Sequence, residues 1–187
     1  MGMPAHTQPY YTVDEVLAFP EDGNKYELIF GELVVSPTPR FWHQEIVMRL
    51  THILHEYCKS EPGVGKVYCV GADISWGRTD TLTQPDVFVL PPQHYGIDDW
   101  ADVRHIPLIA EVLSKSTARH DRYGKRIVYR DQRVGAYWIV DADKDFVEVW
   151  TPDAQFPSVE RERLLWAPTG VSQPLVIDLA ALFRRDE

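Results

Sequence analysis

Two acids stand inside segments that otherwise read as core. In "TQPDVFVL" (83–90), Asp86 precedes an apolar run. In "PLIAEVLSKS" (107–116), Glu111 is set among Leu108, Ile109, Ala110, Val112 and Leu113. Strand alternation puts Asp86, Phe88 and Leu90 on one face, and Glu111 on a face with Ile109 and Leu113. Pro85 cannot donate to a ladder, so it marks the strand's start or an edge position. A carboxylate in apolar surroundings is costly unless it is paired or binds a metal. If the two strands are neighbours, both acids converge on one cation. One or two carboxylates completed by water and substrate phosphate suit Mg²⁺ or Mn²⁺. The competing reading is a structural ion pair, such as Glu111 with an arginine of the next helix.

The elements that must position these acids are legible from periodicity. Thr12 and Glu15 offer a capping box for a short helix that ends before Pro20. "KYELIFGELVVSP" reads as a hairpin around Phe30-Gly31. A helix follows, with Thr38 as its cap and Pro39 in its first turn. Its buried face carries Ile46, Val47, Leu50, Ile53, Leu54 and Tyr57. A strand is expected over 63–76, a turn over Gly77–Thr81, and strands over 85–90 and 107–113. The polar loop between the last two has room for one helical turn. A basic helix spans 117–133 and stops near Gly135. "AYWIVDADKDFVEVW" is a hairpin turning at Asp141–Asp145. Residues 152–187 read as irregular chain with one or two strands and a short helix near 178–184.

This order describes an α/β (α+β) fold with a mixed central sheet covered by helices. Residues 1–9 read as a flexible tail and 10–187 as one domain. No Gly-rich loop follows a strand, which argues against a nucleotide-binding doubly wound fold. The 187 residues are 44% hydrophobic and 25% charged, an ordinary globular composition. No apolar run of about eighteen residues occurs, so no membrane partner is expected. The N-terminus lacks the basic start and apolar run of a signal peptide, and cytoplasmic residence is the default. Cys58 and Cys69 read as ordinary thiols.

Net charge is −9, but its distribution is uneven. Residues 114–133 hold Lys115, Arg119, Arg122, Lys125, Arg126, Arg130 and Arg133 against Asp121 and Asp131. Seven cations against two acids give a local +5, which leaves −14 for the rest of a chain totalling −9. That asymmetry suggests a phosphate-facing patch on an acidic body. The alternative is a solvated, Arg-rich helix face.

The ordered set "YELIFGELVVSPTP", "HQ" opening a helix, "QPDVFVL" and "PLIAEVLSKSTARHDRYGKRIVYRDQRVGAYWIVD" resembles the Uma2 family. The resemblance runs from about Tyr11 to Trp150. It implies a restriction-endonuclease-like fold of the PD-(D/E)XK superfamily and a metal-dependent endonuclease acting on DNA. It implies that Asp86 and Glu111 bind Mg²⁺ or Mn²⁺. The superfamily's usual lysine position, two residues after the second acid, is Leu113 here. The matching lysine in this family is Lys125, on the following helix. A surface pair of Lys125 with Asp121 is its structural alternative. Lys115 stands where relatives usually have proline, and it competes for the lysine role or touches phosphate. The resemblance also makes Glu32 the third acid, a metal ligand or water-positioner. Its alternative is an exposed hairpin carboxylate.

His43, Gln44 and Gln84 are candidates for substrate contact, as are Arg119, Arg122 and Arg126 for the phosphate backbone. His43 shares a face with Val47, Leu50 and Leu54, so a buried, hydrogen-bonded histidine is its other reading. "HILHE" (52–56) lacks the spacing of a helical zinc motif. Trp138 and Trp150 read as sheet packing rather than base-stacking platforms. The leading expectation is a nuclease on DNA. A non-catalytic nucleic-acid- or protein-binding module that keeps the nuclease fold is the alternative, and a hydrolase of another phosphate ester is a third. The sheet and hairpins permit a homodimer.

Overall fold

A computed structural model describes residues 10–69, 71–114 and 118–185. The chain opens with helix α1 (Val13–Leu17), closed at its start by the expected capping box of Thr12 and Glu15. Strands β1 (Lys25–Ile29) and β2 (Glu32–Ser36) then pair antiparallel. Their turn is Phe30-Gly31, both at positive φ, the backbone of a two-residue hairpin turn.

Helix α2 (Phe41–Ser60) packs Ile46, Val47, Leu50, Leu54 and Tyr57 inward. Its start differs from expectation. Arg40 is the N-cap residue and no side chain caps the helix. Thr38 instead donates to the Gly23 carbonyl at 3.4 Å, so it serves the hairpin rather than the helix.

The central sheet has six strands in the order β3-β4-β5-β6-β7-β8. They are β3 (Lys66–Cys69), β4 (Val87–Leu90), β5 (Leu108–Val112), β6 (Ala136–Asp141), β7 (Phe146–Trp150) and β8 (Ser158–Glu160). Among the described residues only β5 and β6 pair in parallel. The crossover between them carries the basic helix, as a parallel connection requires. β3 is far shorter than the strand expected over 63–76. Gly71 at φ +75 turns the chain out of the ladder, and Ile74 returns only as an isolated bridge to Thr83.

Each face of the sheet has its own core. Val87, Val89, Leu108, Ala110 and Trp138 face α2 and the C-terminal elements. Those elements are the pair β9 (Arg163–Trp166) and β10 (Leu175–Asp178), followed by helix α4 (Leu179–Leu182). Phe88, Leu90, Ile109, Tyr137 and Ile139 face the other way, onto Ile29, Val34, Val128 and Tyr129. Asp86 and Glu111 belong by alternation to this second face, under the first hairpin and the basic helix.

The basic helix is not regular. A π-helical segment, His120–Lys125, runs directly into helix α3 (Arg126–Asp131). Wider π turns are often found at functional positions. The helix also stops differently from expectation. Arg133, at φ +53, takes the left-handed position, and Val134 and Arg133 donate to the carbonyls of Tyr129 and Arg130. Gly135 serves a different need, because a Cβ there would lie 2.8 Å from the Pro107 carbonyl oxygen.

Candidate active site

The register of β4 and β5 pairs Val87 with Ala110 and Phe88 with Ile109. One step further along this antiparallel ladder, Asp86 stands beside Glu111. The Val112 N–H donates to Asp86 Oδ2 at 2.9 Å, which ties the end of one strand to the other. Both acids line a cleft of about 280 Å³. Lys25 and Ser36 of the hairpin, Arg40 and His43 at the start of α2, and Asp121 and Lys125 of the π segment line it too.

Lys125 lies under this cleft with its side chain 2% exposed. Its Nζ stands 2.9 Å from Glu27 Oε1, 2.9 Å from Glu111 Oε1 and 3.3 Å from Asp121 Oδ1. An ammonium has three N–H donors. Here one is donated to Glu111, while Glu27 and Asp121 pair with the charge. Asp121 and Lys125, four residues apart, share one face of this segment, and that face points inward. Gly124 allows the close approach, since a Cβ there would sit 3.0 Å from Ile29 Cγ2.

The remaining contacts complete a buried polar network. The Tyr129 hydroxyl donates to Glu111 Oε1 at 2.8 Å. The Gln84 N–H donates to Glu27 Oε1 at 2.8 Å. The Tyr137 hydroxyl donates to the Asp121 carbonyl at 3.0 Å. His43 Nε2 lies 3.1 Å from Asp86 Oδ2. Lys25 Nζ lies between Asp86 Oδ1 and Glu27 Oε2, at 3.5 and 3.7 Å.

Burial pushes the Glu111 carboxyl up to about 8, with Asp86 and Asp121 adding to the rise and Lys125 and Lys25 opposing it. Burial also acts to raise Asp86, but Lys25, the His43 contact and Lys125 together hold it well below the usual carboxylate range. Burial opposes the charge on Lys125, and Glu111, Glu27 and Asp121 outweigh it, so its ammonium is held well above its ordinary range.

Four carboxylates, Glu27, Asp86, Glu111 and Asp121, stand against two ammonium groups. Arg40 also lines the cleft, so full ionisation of these groups leaves an excess of one negative charge. Among the described residues no group of three or more His, Cys, Asp or Glu side chains forms a cage for a metal ion. Two neighbouring carboxylates are a donor set that would suit a hard divalent ion completed by water and phosphate. Asp86 and Glu111 are the residues that could hold it.

Glu32 is exposed on β2, opposite Ile29 at the hairpin's turn end, and does not line the cleft. Glu27, 1% exposed, is the hairpin carboxylate that enters the network. Gln44 is exposed and outside the cleft, while His43 faces into it. The Gln84 side chain donates to Asp73 at 2.7 Å, so it holds loop to loop. Arg122 is bound to Glu148 at 2.8 Å and Asp141 at 3.2 Å. Arg126 sits over the Trp150 ring at 4.7 Å. Arg130 pairs with its neighbour Asp131. The expected basic patch is thus largely compensated within the protein, and Arg119 remains exposed. Lys115 lies outside the described residues, as does the tail 1–9.

Sequence reasoning missed Lys25, Ser36 and Tyr129, and took Glu32 rather than Glu27 as the third acid. A signal was present. Lys25, Glu27 and Ile29 alternate onto one strand face, and Ile29 marks that face as inward.

Mixed sheet, covering helices and acids at adjoining strand ends define a restriction-endonuclease-like protein. The Uma2 family model, described as "Putative restriction endonuclease", matches residues 13–180, and the chain belongs to that family. A solved structure titled as a "putative nuclease belonging to DUF820", from Anabaena variabilis ATCC 29413, has the same fold. It matches with a TM-score of 0.76 at 21% identity, over 92% of this chain and 97% of its own. No curated protein matches the chain. Among the described residues no helix is long and apolar enough to cross a membrane.

Proposed function

We propose that this protein is an endonuclease that hydrolyses phosphodiester bonds of DNA with Mg²⁺ or Mn²⁺. The observation that carries this reading is the placement of Asp86 beside Glu111 on neighbouring strands, at the wall of an open cleft. Family membership supports the same chemistry. In the reaction a water oxygen bonds to phosphorus, one sugar oxygen leaves, and the proton passes to that leaving oxygen.

Asp86 and Glu111 hold the ion. When bound, it draws charge from a phosphoryl oxygen and makes water more acidic. The Val112 N–H and His43 fix the direction of Asp86. Lys125 and Tyr129 both engage Glu111 Oε1, which orients the carboxylate and favours its ionised form. Nicking or linearisation of supercoiled plasmid in Mn²⁺ or Mg²⁺ tests the reading. Wild type is expected to cleave and Asp86→Ala is not. Equal behaviour of the two overturns it.

A second reading, a non-catalytic module that keeps the nuclease fold, is favoured by the lysine pairing of every acid in the network. It expects a thermal stability that divalent ions do not change.

A further inference from the structure

The nuclease reading leaves one role to be assigned. Charge that develops on the phosphate during hydrolysis needs a cationic donor that can reach it. Lys125 cannot supply one while its side chain is 2% exposed and its ammonium is enclosed by the carboxylates of Glu27, Glu111 and Asp121. Arg122 and Arg126 are occupied at Glu148, Asp141 and Trp150.

Lys25 differs on each count. It lines the cleft, and its side chain is 25% exposed. Its nearest acceptors stand at 3.5 and 3.7 Å, beyond a good hydrogen bond. Its ammonium adjoins Asp86, one of the two acids proposed to hold the ion. Directly across the hairpin from Lys25 is Ser36, also in the cleft wall. Ser36 is 5% exposed, and its hydroxyl has no partner among the described residues. The uncapped start of α2, at Arg40, borders the same wall and favours an anion there.

Resting on the nuclease reading, we infer that Lys25, aided by the Ser36 hydroxyl, is the group that meets the scissile phosphate, while Lys125 is a positioning residue for Glu111. The N-terminal hairpin is then part of the reaction centre and not merely its cover. A phosphate in the cleft draws the ammonium from its two long carboxylate contacts onto a phosphoryl oxygen, where each unit of developing charge strengthens the contact.

The test uses the full chain, a short DNA duplex with Mg²⁺, and the variants Lys25→Met, Lys25→Arg and Ser36→Ala. Two readouts are taken: single-turnover cleavage, and acetylation of each lysine measured by mass spectrometry with and without saturating duplex. Lys25→Met is expected to lose about 100-fold in cleavage rate, the usual effect of removing one such donor. Lys25→Arg is expected to retain part of the rate, Ser36→Ala to lose less than Lys25→Met, and the duplex to shield Lys25 from acetylation. If wild type cleaves and Lys25→Met matches it, the inference falls and the nuclease reading stands. If wild type cleaves nothing yet the duplex still shields Lys25, the nuclease reading falls and the phosphate contact stands. Neither cleavage nor shielding overturns both. Should Lys25→Met fail to fold, Lys25→Arg and the shielding of wild type decide.

Discussion

Lys125 Nζ and Glu111 Oε1 meet 2.9 Å apart, on side chains that are each 2% exposed. Glu27 and Asp121 close on the same ammonium. A cation so enclosed holds the first hairpin, strand β5 and the basic helix at one point. Replacing it by a neutral side chain leaves three buried carboxylates without their shared partner. Lys125→Met is expected to lower stability by about 3–5 kcal/mol, the usual cost of breaking a buried pair from one side. A urea melt measures it. A loss below about 1 kcal/mol would mean that the three acids find other partners.

Glu111 gives a pH dependence whose sign can be stated. Its carboxyl is raised from 4.5 to about 8 by burial, so between those values the folded state binds more protons than the unfolded one. Stability attributable to Glu111 therefore falls as pH rises from about 4.5 to about 8. Glu111→Gln cannot ionise and lacks that slope. Chemical melts across the window are expected to shift steadily in the variant's favour. A wild-type-to-variant difference that is flat with pH contradicts the raised carboxyl.

Asp86 behaves in the opposite sense. It is held below its ordinary 3.8, so it contributes stability above that pH and loses it as the solution is acidified. Asp86→Asn removes this contribution, and acid titration of the two proteins is expected to converge at low pH. The same substitution addresses the metal. Calorimetric titration of Mn²⁺ is expected to show binding to wild type and none to Asp86→Asn. Equal binding by both places the ion elsewhere.

Arg122 tests the basic helix. It bridges Asp141 and Glu148 with its side chain 28% exposed. Arg122→Ala is expected to cost about 1 kcal/mol of stability, the upper range for partly exposed pairs. The salt dependence of DNA binding is expected to stay as it is in wild type. A salt slope shallower by about one unit would instead count Arg122 among the phosphate contacts.

The two acids were legible because cost identifies them. A carboxylate in the middle of "LIAEVL" or at the mouth of "DVFVL" has no reason to be there unless something compensates it. Period-2 alternation gave their faces, and period-3.6 spacing gave the buried face of α2. The ordered motifs carried the family and the mixed fold. Those readings depend on local pattern, and local pattern is written in one dimension.

What compensates the acids was decided only by the tertiary structure. Asp86 and Glu111 are 25 residues apart, and the register of two strands makes them neighbours. Glu27 and Glu32 both look like hairpin acids, but packing of the hairpin against the π segment buries one and exposes the other. Asp121 and Lys125, at i and i+4, can be read as a surface pair, whereas packing of His120–Lys125 against the hairpin and β5 buries both. The sequence could show an excess of cations along this helix. It could not show that Glu148, Asp141 and Trp150, from strands further along the chain, occupy two of them. Charge is a property of residues, but whether that charge is free to meet a substrate depends on what the fold sets opposite it.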